Sequence, residues 1–250
     1  MSKTESALPQ TDRIIQIADS SYVSPFTGDK YIQDPYEARC SEQLINKGKN
    51  YRASLCFVPN GYRMSNLDEI AYLIQREAKL KKHSKNPREV LQDSLFERHI
   101  KSDPYLWMHS NVALRAQKGA KNLGAYKESD GQGREFARVD YLIGEKVIAE
   151  GVRVPISTDG KVVEWIIPLR IPAIISYGDE PQHTIHWYLD TDEKEVAVRL
   201  DGYWFGGGLG GCLLLDAAFR RSFSNPRASF RLFQGSLDDV PIPHVEYHKK

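Results

Sequence analysis

The chain has 250 residues and a formal net charge of +1, with 41% hydrophobic and 27% charged residues, which is typical of a soluble globular protein. Because the net charge is near zero, the protein as a whole does not attract nucleic acid electrostatically. Binding to nucleic acid therefore has to come from local basic patches. The three cysteines form no CxxC pair, which indicates reduced thiols and a cytoplasmic location. The most apolar run, 165–175, is too short to cross a membrane.

The beginning of the chain is mostly polar, with short extended runs. Residues 1–12 predict a disordered tail. Strand-like runs follow at 14–17, 22–23, 31–32 and 51–58. We expect one domain over residues 13–235 and a C-terminal tail over 236–250.

Between residues 65 and 122 the hydrophobic residues are spaced as on one face of a helix, and three helix start signals occur there. Ser65-Asn66 offers a cap for a helix over 65–82. Asn86-Pro87-Arg88-Glu89 gives a second helix a cap residue, a proline at its first position and an acid at its third. Asp103-Pro104 introduces a third helix over 105–118. Residues 65–122 are therefore predicted to form a helical insert.

Positive charge is concentrated in the same part of the chain. Residues 76–127 contain 12 lysines and arginines against five acids, a net of +7, which leaves the rest of the chain with a net of −6. This asymmetry is typical of a face that meets a polyanion, although solvated helices are also commonly rich in lysine. The candidate phosphate-contacting cations are Lys79, Lys81, Lys82, Lys85, Arg88, Arg115, Lys118 and Lys121, and we expect His83, His99 and His109 to lie on the surface or contact phosphates.

Beyond Gly131-Gln132-Gly133 the hydrophobic period changes to two, which predicts strands. Runs 136–143 and 146–155 flank Gly144-Glu145, a two-residue hairpin signal. Further strand-like runs follow at 162–169, 184–189 and 195–200. Because successive hairpins pair antiparallel, we expect a meander in the C-terminal half.

A glycine-rich loop is the most unusual feature of the sequence. Five of the 18 glycines fall within six residues, at Gly206, Gly207, Gly208, Gly210 and Gly211. Their GxGxxG spacing, before a predicted helix over 212–222, fits a phosphate-binding turn, but too little chain follows for a dinucleotide-binding fold. Two interpretations stay open. Either the loop amides contact polynucleotide phosphates together with Arg220 and Arg221, or the glycines let the helix pack closely on a sheet.

The last predicted strand, 228–234, mixes arginines with aromatic residues. On an exposed sheet, aromatic rings stack on unpaired bases while arginines meet phosphates. The pattern favours Phe230 and Leu232 facing the core and Arg231 facing water, where Arg231 is a further candidate for phosphate contact.

Signatures of the commonest ATPases, metalloproteases, α/β-hydrolases and kinases are absent, as is zinc-type spacing of cysteine and histidine. A metal-dependent nuclease needs only a few acids and a lysine on adjacent strands. The candidates are Asp140 and Glu150 on one predicted hairpin, and Asp192 and Lys194 in a turn. Mg²⁺ would be the cofactor of such a nuclease, and no cofactor is predicted otherwise.

Together these features predict an α+β fold, with a mainly antiparallel meander, an inserted three-helix basic segment and a glycine-rich loop followed by a helix. The leading functional hypothesis is a cytoplasmic nucleic-acid-binding protein, such as a subunit of a ribonucleoprotein. The alternatives are a metal-dependent nuclease and a protein-interaction or assembly subunit that uses Tyr203-Trp204-Phe205 and the glycine loop as a docking surface. We expect nucleic acid as the main partner, protein partners as a second possibility, and no membrane.

Overall fold

A computed structural model describes residues 13–17, 19–23, 28–41, 44–45, 48–66, 69, 105–129, 131, 133–160, 162–164, 174–176, 185–203, 212–217, 220–226, 228–236, 239 and 244–249. Several predicted features lie outside these residues: the tail 1–12, nearly all of the first helix, the second helix and the glycine loop 206–211. The described part is mostly antiparallel β-sheet.

The largest sheet, nine-stranded as described, forms the centre of the fold. Seven strands follow one another in the order β10 (Ser157–Gly160), β13 (Ile185–Leu189), β15 (Cys212–Ala217), β14 (Glu195–Tyr203), β6 (Tyr105–Ala116), β8 (Glu135–Ile143) and β7 (Lys127–Ser129). Two more strands join this path at its sides: β16 (Ala228–Phe230) pairs with β6, and β9 (Lys146–Pro155) pairs with β8.

Three smaller sheets accompany it among the described residues. A four-stranded sheet has the order β1 (Arg13–Ile17), β4 (Tyr36–Cys40), β17 (Leu232–Gln234) and β5 (Tyr62–Met64). The other two are β11 (Val162–Glu164) with β12 (Ile174–Ser176), and β2 (Ser20–Val23) with β3 (Lys30–Gln33) and β18 (His244–Glu246). Strand β18, which lies in the segment that we expected to be a C-terminal tail, pairs antiparallel with β3.

The predicted α+β fold with a three-helix insert over 65–122 is wrong. The third predicted helix, 105–118, is instead the 12-residue strand β6. This strand lies between β14 and β8, and Met108 to Leu114 are buried without a break. A strand covered on both faces shows no alternation of apolar and polar residues, which is why its sequence did not indicate a strand.

The helix predicted after the glycine loop is also wrong. Its first half, Cys212–Ala217, is strand β15. A short, continuous apolar run such as Cys-Leu-Leu-Leu cannot be distinguished from a helix by its period alone. Strand β15 pairs parallel with β13 and antiparallel with β14, so it separates two strands that the meander prediction placed side by side.

The predicted hairpin over 136–155 is confirmed. Strands β8 and β9 pair antiparallel, with Ile143 opposite Lys146 across the Gly144-Glu145 turn. Gly144 has φ +61, a left-handed conformation that this turn type requires. The signal is correct because both the turn and its alternating flanks are local in sequence.

One short α-helix is described, α1 (Tyr51–Cys56), where the sequence predicted a strand. It begins at Asn50, whose side-chain oxygen accepts a hydrogen bond from Ala53 N (2.8 Å). In the described part of the chain, no helix is long and apolar enough to span a membrane.

Buried side chains form two clusters on opposite faces of the largest sheet. Val112 and Leu114 belong to the larger cluster, whereas Ala113 belongs to the smaller one with Tyr51 and Phe230. Successive residues of a strand point to opposite faces, so α1, which contributes Tyr51, covers the face of the smaller cluster. This places α1 beside the cleft described next.

Candidate functional site

A cleft of about 400 Å³ brings together residues from four segments that are distant in sequence. It is lined by Arg52, Lys121, Asp192, Glu193, Lys194, Glu195, Arg220, Arg221 and Ser222. Five of these residues are basic and three are acidic, a local net charge of +2. A concave surface with excess positive charge attracts anions more strongly than a flat one, because the protein walls focus the field.

One wall of the cleft is formed by the turn before β14 and the loop after β6. Ala116 N donates to Lys194 O (2.8 Å), and Leu123 N donates to Glu193 O (2.8 Å). Gly124 N donates to Thr191 O (2.8 Å), and a Cβ at Gly124 would lie 2.8 Å from the Cβ of Thr191. This close approach requires glycine, and it fixes Lys121 and Lys194 on the same wall.

A second wall of the cleft is formed by α1 and the turn 220–223, where Arg220 is bridged to Val196 near the start of β14. Phe223 N donates to Arg220 O (2.8 Å), which closes the turn. Asn50 Nδ2 donates to Ser222 O (3.3 Å), so the residue that caps α1 also holds this turn. The two elements are therefore fixed relative to each other.

Arg221 anchors the base of this wall and is only 2% exposed. Its guanidinium forms ion pairs with Glu145 and Glu195 and donates to Gly144 O (3.3 Å). The Cζ atom of Arg221 also lies 5.0 Å from the ring centroid of Tyr51. With its charge taken up by two carboxylates, Arg221 positions the cleft and is not open to a ligand.

Tyr51, the first residue of α1, and His109, on strand β6, are both buried. Tyr51 donates its hydroxyl to Asn111 O (2.8 Å), and burial raises the pKa of this hydroxyl, so it stays protonated. The His109 ring meets the Tyr51 ring edge to face, with centroids 5.9 Å apart. Burial lowers the pKa of His109 to about 4, so the ring is neutral near pH 7. The expectation that His109 lies on the surface or contacts phosphates is wrong.

The exposed cations of the cleft differ in how far they are neutralised. Arg52 Nη2 lies 2.9 Å from Glu195 Oε2, and Arg220 Nε lies 2.8 Å from Glu193 Oε2. Lys121 and Lys194 are exposed, and within the described ranges neither ammonium has a carboxylate partner. The two lysines therefore carry the charge that is available to an anionic ligand.

The cleft contains five of the residues that the sequence singled out: Lys121, Asp192, Lys194, Arg220 and Arg221. Lys118 is exposed in the turn just before Lys121. Arg115 Nη2 lies 3.5 Å from Asp140 Oδ2. Ten candidates lie outside the described residues, namely Lys79, Lys81, Lys82, Lys85, Arg88, Gly206, Gly207, Gly208, Gly210 and Gly211.

Arg231 does not face water, contrary to the expectation from its strand pattern. It is fully buried and donates to the Ser41 carbonyl. The predicted strand 228–234 is split at this residue into β16, which joins the largest sheet, and β17, which joins the four-stranded sheet. Because the chain passes from one sheet to the other here, the Arg231 side chain lies inside the protein.

The nuclease candidates do not form one group. Asp140 is buried, and its carboxylate lies near Arg115 and accepts from Gly151 N (3.4 Å). Glu150 is exposed, and neither residue lines the cleft that contains Asp192 and Lys194. Among the residues that the structure describes, no group of three or more histidines, cysteines or acids could hold a metal ion. The nuclease alternative stays a prediction.

Several residues of the cleft were not found from the sequence: Arg52, Glu193, Glu195 and Ser222. The sequence places Asp192 and Lys194 in a turn, but nothing local indicates that Glu193 and Glu195 pair with Arg52, Arg220 and Arg221. The chemistry of the cleft has to be inferred from its own residues, because no family model, curated protein or solved structure matches the chain.

Proposed function

We propose that the protein binds nucleic acid, with the phosphate backbone held in the cleft. The observation that carries the proposal is the meeting of five basic side chains, from four distant segments, in one concave surface. Lys121 and Lys194 lie on one wall of it without a carboxylate partner in the described part of the chain. Such cations attract phosphates and release the counterions that surround a polyanion.

The arginines of the cleft support the lysines in two ways. Arg221 is buried and fixes the geometry of the wall, whereas Arg52 and Arg220 are exposed at the surface of the cleft. The carboxylates of Glu193 and Glu195 hold these two guanidiniums in place and leave their remaining N–H groups to donate to phosphate oxygens. A preorganised guanidinium loses less side-chain entropy when it binds than a mobile one.

The positive surface continues beyond the cleft along the loop after β6. Lys118 is exposed in this loop, whereas Arg115, near the end of β6, is already paired with Asp140. The exposed lysines Lys118, Lys121 and Lys194 offer separate phosphate contacts, which a linear polyanion can use together and a single small anion cannot. This favours nucleic acid over an isolated phosphate as the ligand.

The test is the salt dependence of binding to a fluorescently labelled oligonucleotide, measured by anisotropy between 50 and 200 mM NaCl. The double variant Lys121→Gln/Lys194→Gln removes two phosphate contacts. We expect it to bind at least about tenfold more weakly at the lowest salt concentration. The plot of log association constant against log salt concentration should also become less steep, by between about one and two.

Lys249→Gln is the matched control, because Lys249 is an exposed lysine that does not line the cleft. It should bind as the wild-type protein does. Salt-independent binding by the wild type, or equal affinities of the double variant and the control, would overturn the proposal.

A further inference from the structure

Strand β1 is the outermost strand of the four-stranded sheet, and among the described residues it pairs with β4 alone. All five residues of β1 take part in this pairing, with Ile17 opposite Tyr36. The same register continues beyond the strand, where Ser20 of β2 lies opposite Gln33. Asp19, between β1 and β2, therefore stays in line with β1.

The free edge of β1 presents the backbone groups of Ile14 and Gln16. Ser41 N donates to a carbonyl of β17 (2.8 Å), so the backbone groups of the preceding residue, Cys40, face β1. Cys40 lies opposite Arg13, and residues along an antiparallel pair alternate between hydrogen-bonded and non-hydrogen-bonded positions. The N–H and C=O groups of Ile14 and Gln16 therefore point away from β4.

This edge lacks the features that commonly prevent a strand from pairing with another chain. Residues 14–17 contain no charge, proline or glycine. Ile14 is 48% exposed, whereas Ile15 and Ile17, on the other face of the strand, are buried in the larger cluster. The edge is thus flat, apolar and able to accept a further strand.

Two charges of opposite sign lie symmetrically about the middle of this edge. Arg13 and Asp19 are the only charged residues between 13 and 23, and each is three positions from Gln16. In the part of the chain that the structure describes, neither forms an ion pair. A second β1, antiparallel and centred on Gln16, would place Arg13 of each copy opposite Asp19 of the other. It would also place Ile15 opposite Ile17, on the same face of the sheet.

We propose that two copies of the chain associate through β1, paired antiparallel about a two-fold axis at Gln16. The contact joins two four-stranded sheets into one sheet, through backbone hydrogen bonds at Ile14 and Gln16 and two ion pairs between Arg13 and Asp19. Because one strand edge buries less surface than a standard interface, the dimer is weak and depends on concentration. No residue of β1 lines the cleft, so dimer formation is independent of nucleic-acid binding.

Charge reversal tests both the dimer and its register. In sedimentation equilibrium we expect the mass of the wild type to rise from monomer toward dimer with concentration. Arg13→Asp and Asp19→Arg each place like charges opposite each other twice, which should raise the dissociation constant of the dimer at least about tenfold. The double variant Arg13→Asp/Asp19→Arg exchanges the two charges and should dimerise as the wild type does.

Lys127→Asp is the control, because Lys127 is exposed on β7, a strand of the other large sheet. It should dimerise as the wild type does. A wild type that stays monomeric would overturn the proposal. So would unchanged dimerisation of the single variants, or a double variant that does not recover.

Amide hydrogen exchange gives a second readout at the edge itself. Exchange of the Ile14 and Gln16 amides should slow as the protein concentration rises, because these N–H groups become hydrogen-bonded in the dimer. If exchange is slow at every concentration, a segment of the same chain covers the edge, and the proposal fails.

Discussion

Arg221 at the cleft and Arg63 on the four-stranded sheet are both buried, but their carboxylate partners differ. Glu195 and Glu145 expose 20% and 63% of their side chains, whereas Glu69, the partner of Arg63, exposes 0%. Around Arg63 the ion pair is part of the interior, while around Arg221 it forms the floor of a surface that water and ligands reach. The exposure of the carboxylate partners, more than that of the arginine, separates a core ion pair from one that supports a binding surface.

The largest loss of stability is expected when the fully buried ion pair between Arg63 and Glu69 is broken. Arg63 Nη1 and Nη2 donate to the two carboxylate oxygens of Glu69, at 2.7 and 2.5 Å. Arg63→Met leaves the Glu69 charge buried and uncompensated, which should lower the free energy of unfolding by about 3–5 kcal/mol. Urea denaturation measures this loss.

A second variant shows whether the uncompensated charge is the cause. Arg63→Met/Glu69→Gln removes both charges and keeps an oxygen that can accept from Asn66 N, as Glu69 Oε2 does at 2.9 Å. It should regain most of the lost stability. If the double variant is as unstable as Arg63→Met alone, the loss comes from packing around Arg63.

A pH-dependent effect of about 3 kcal/mol is expected from His109, which lies beneath α1. Burial, with a smaller effect of Arg199, lowers the pKa of His109 from 6.5 to about 4. The unfolded chain therefore takes up a proton at a higher pH than the folded protein does. Protonation of the unfolded chain at this site therefore does not lower the free energy of unfolding above about pH 6.5, and lowers it progressively as the pH falls toward 4.

The measurement is the free energy of unfolding at several pH values for the wild type and for His109→Gln, which cannot titrate. We expect the wild type to lose about 3 kcal/mol relative to the variant between pH 6.5 and pH 4. Parallel profiles of the two proteins would contradict a neutral, buried His109.

The smallest loss of stability is expected at the cleft, where water can hydrate a carboxylate that loses its ion-pair partner. Arg221→Met leaves Glu145 without a cationic partner, whereas Glu195 keeps its ion pair with Arg52; both carboxylates are partly exposed and regain hydration. We expect a loss of about 2 kcal/mol in the free energy of unfolding, less than for Arg63→Met. Thermal and urea unfolding measure it.

The neighbouring residue provides the control for this change. Arg220 pairs with Glu193 at the surface, and its side chain is exposed, so Arg220→Met should leave stability unchanged within error. Equal losses for the two variants would mean that Arg221 is not the anchor of the cleft wall.

The hairpin over 136–155 depends on neighbouring residues alone, and it was predicted correctly from the sequence. The hairpin of β8 and β9 was found because its turn residues and alternating strands are contiguous. Strand β6 was missed because its two faces are buried by residues far along the chain, with Ile15 in the cluster of Leu114 on one face and Tyr51 in the cluster of Ala113 on the other. In the same way the parallel pairing of β13 with β15 has no local signal.

The candidate site shows the same division between local and distant information. The sequence alone identified Lys121, Lys194, Arg220 and Arg221 as cations of interest, because charge is a property of each residue. Only the tertiary structure decided their roles. Arg221 pairs with Glu145, which lies 76 residues away in the sequence, and Arg231 donates to Ser41, which lies 190 residues away. Burial converts a cation into part of the scaffold, because its charge must then be taken up by the protein itself, while an exposed ammonium keeps its charge for a ligand.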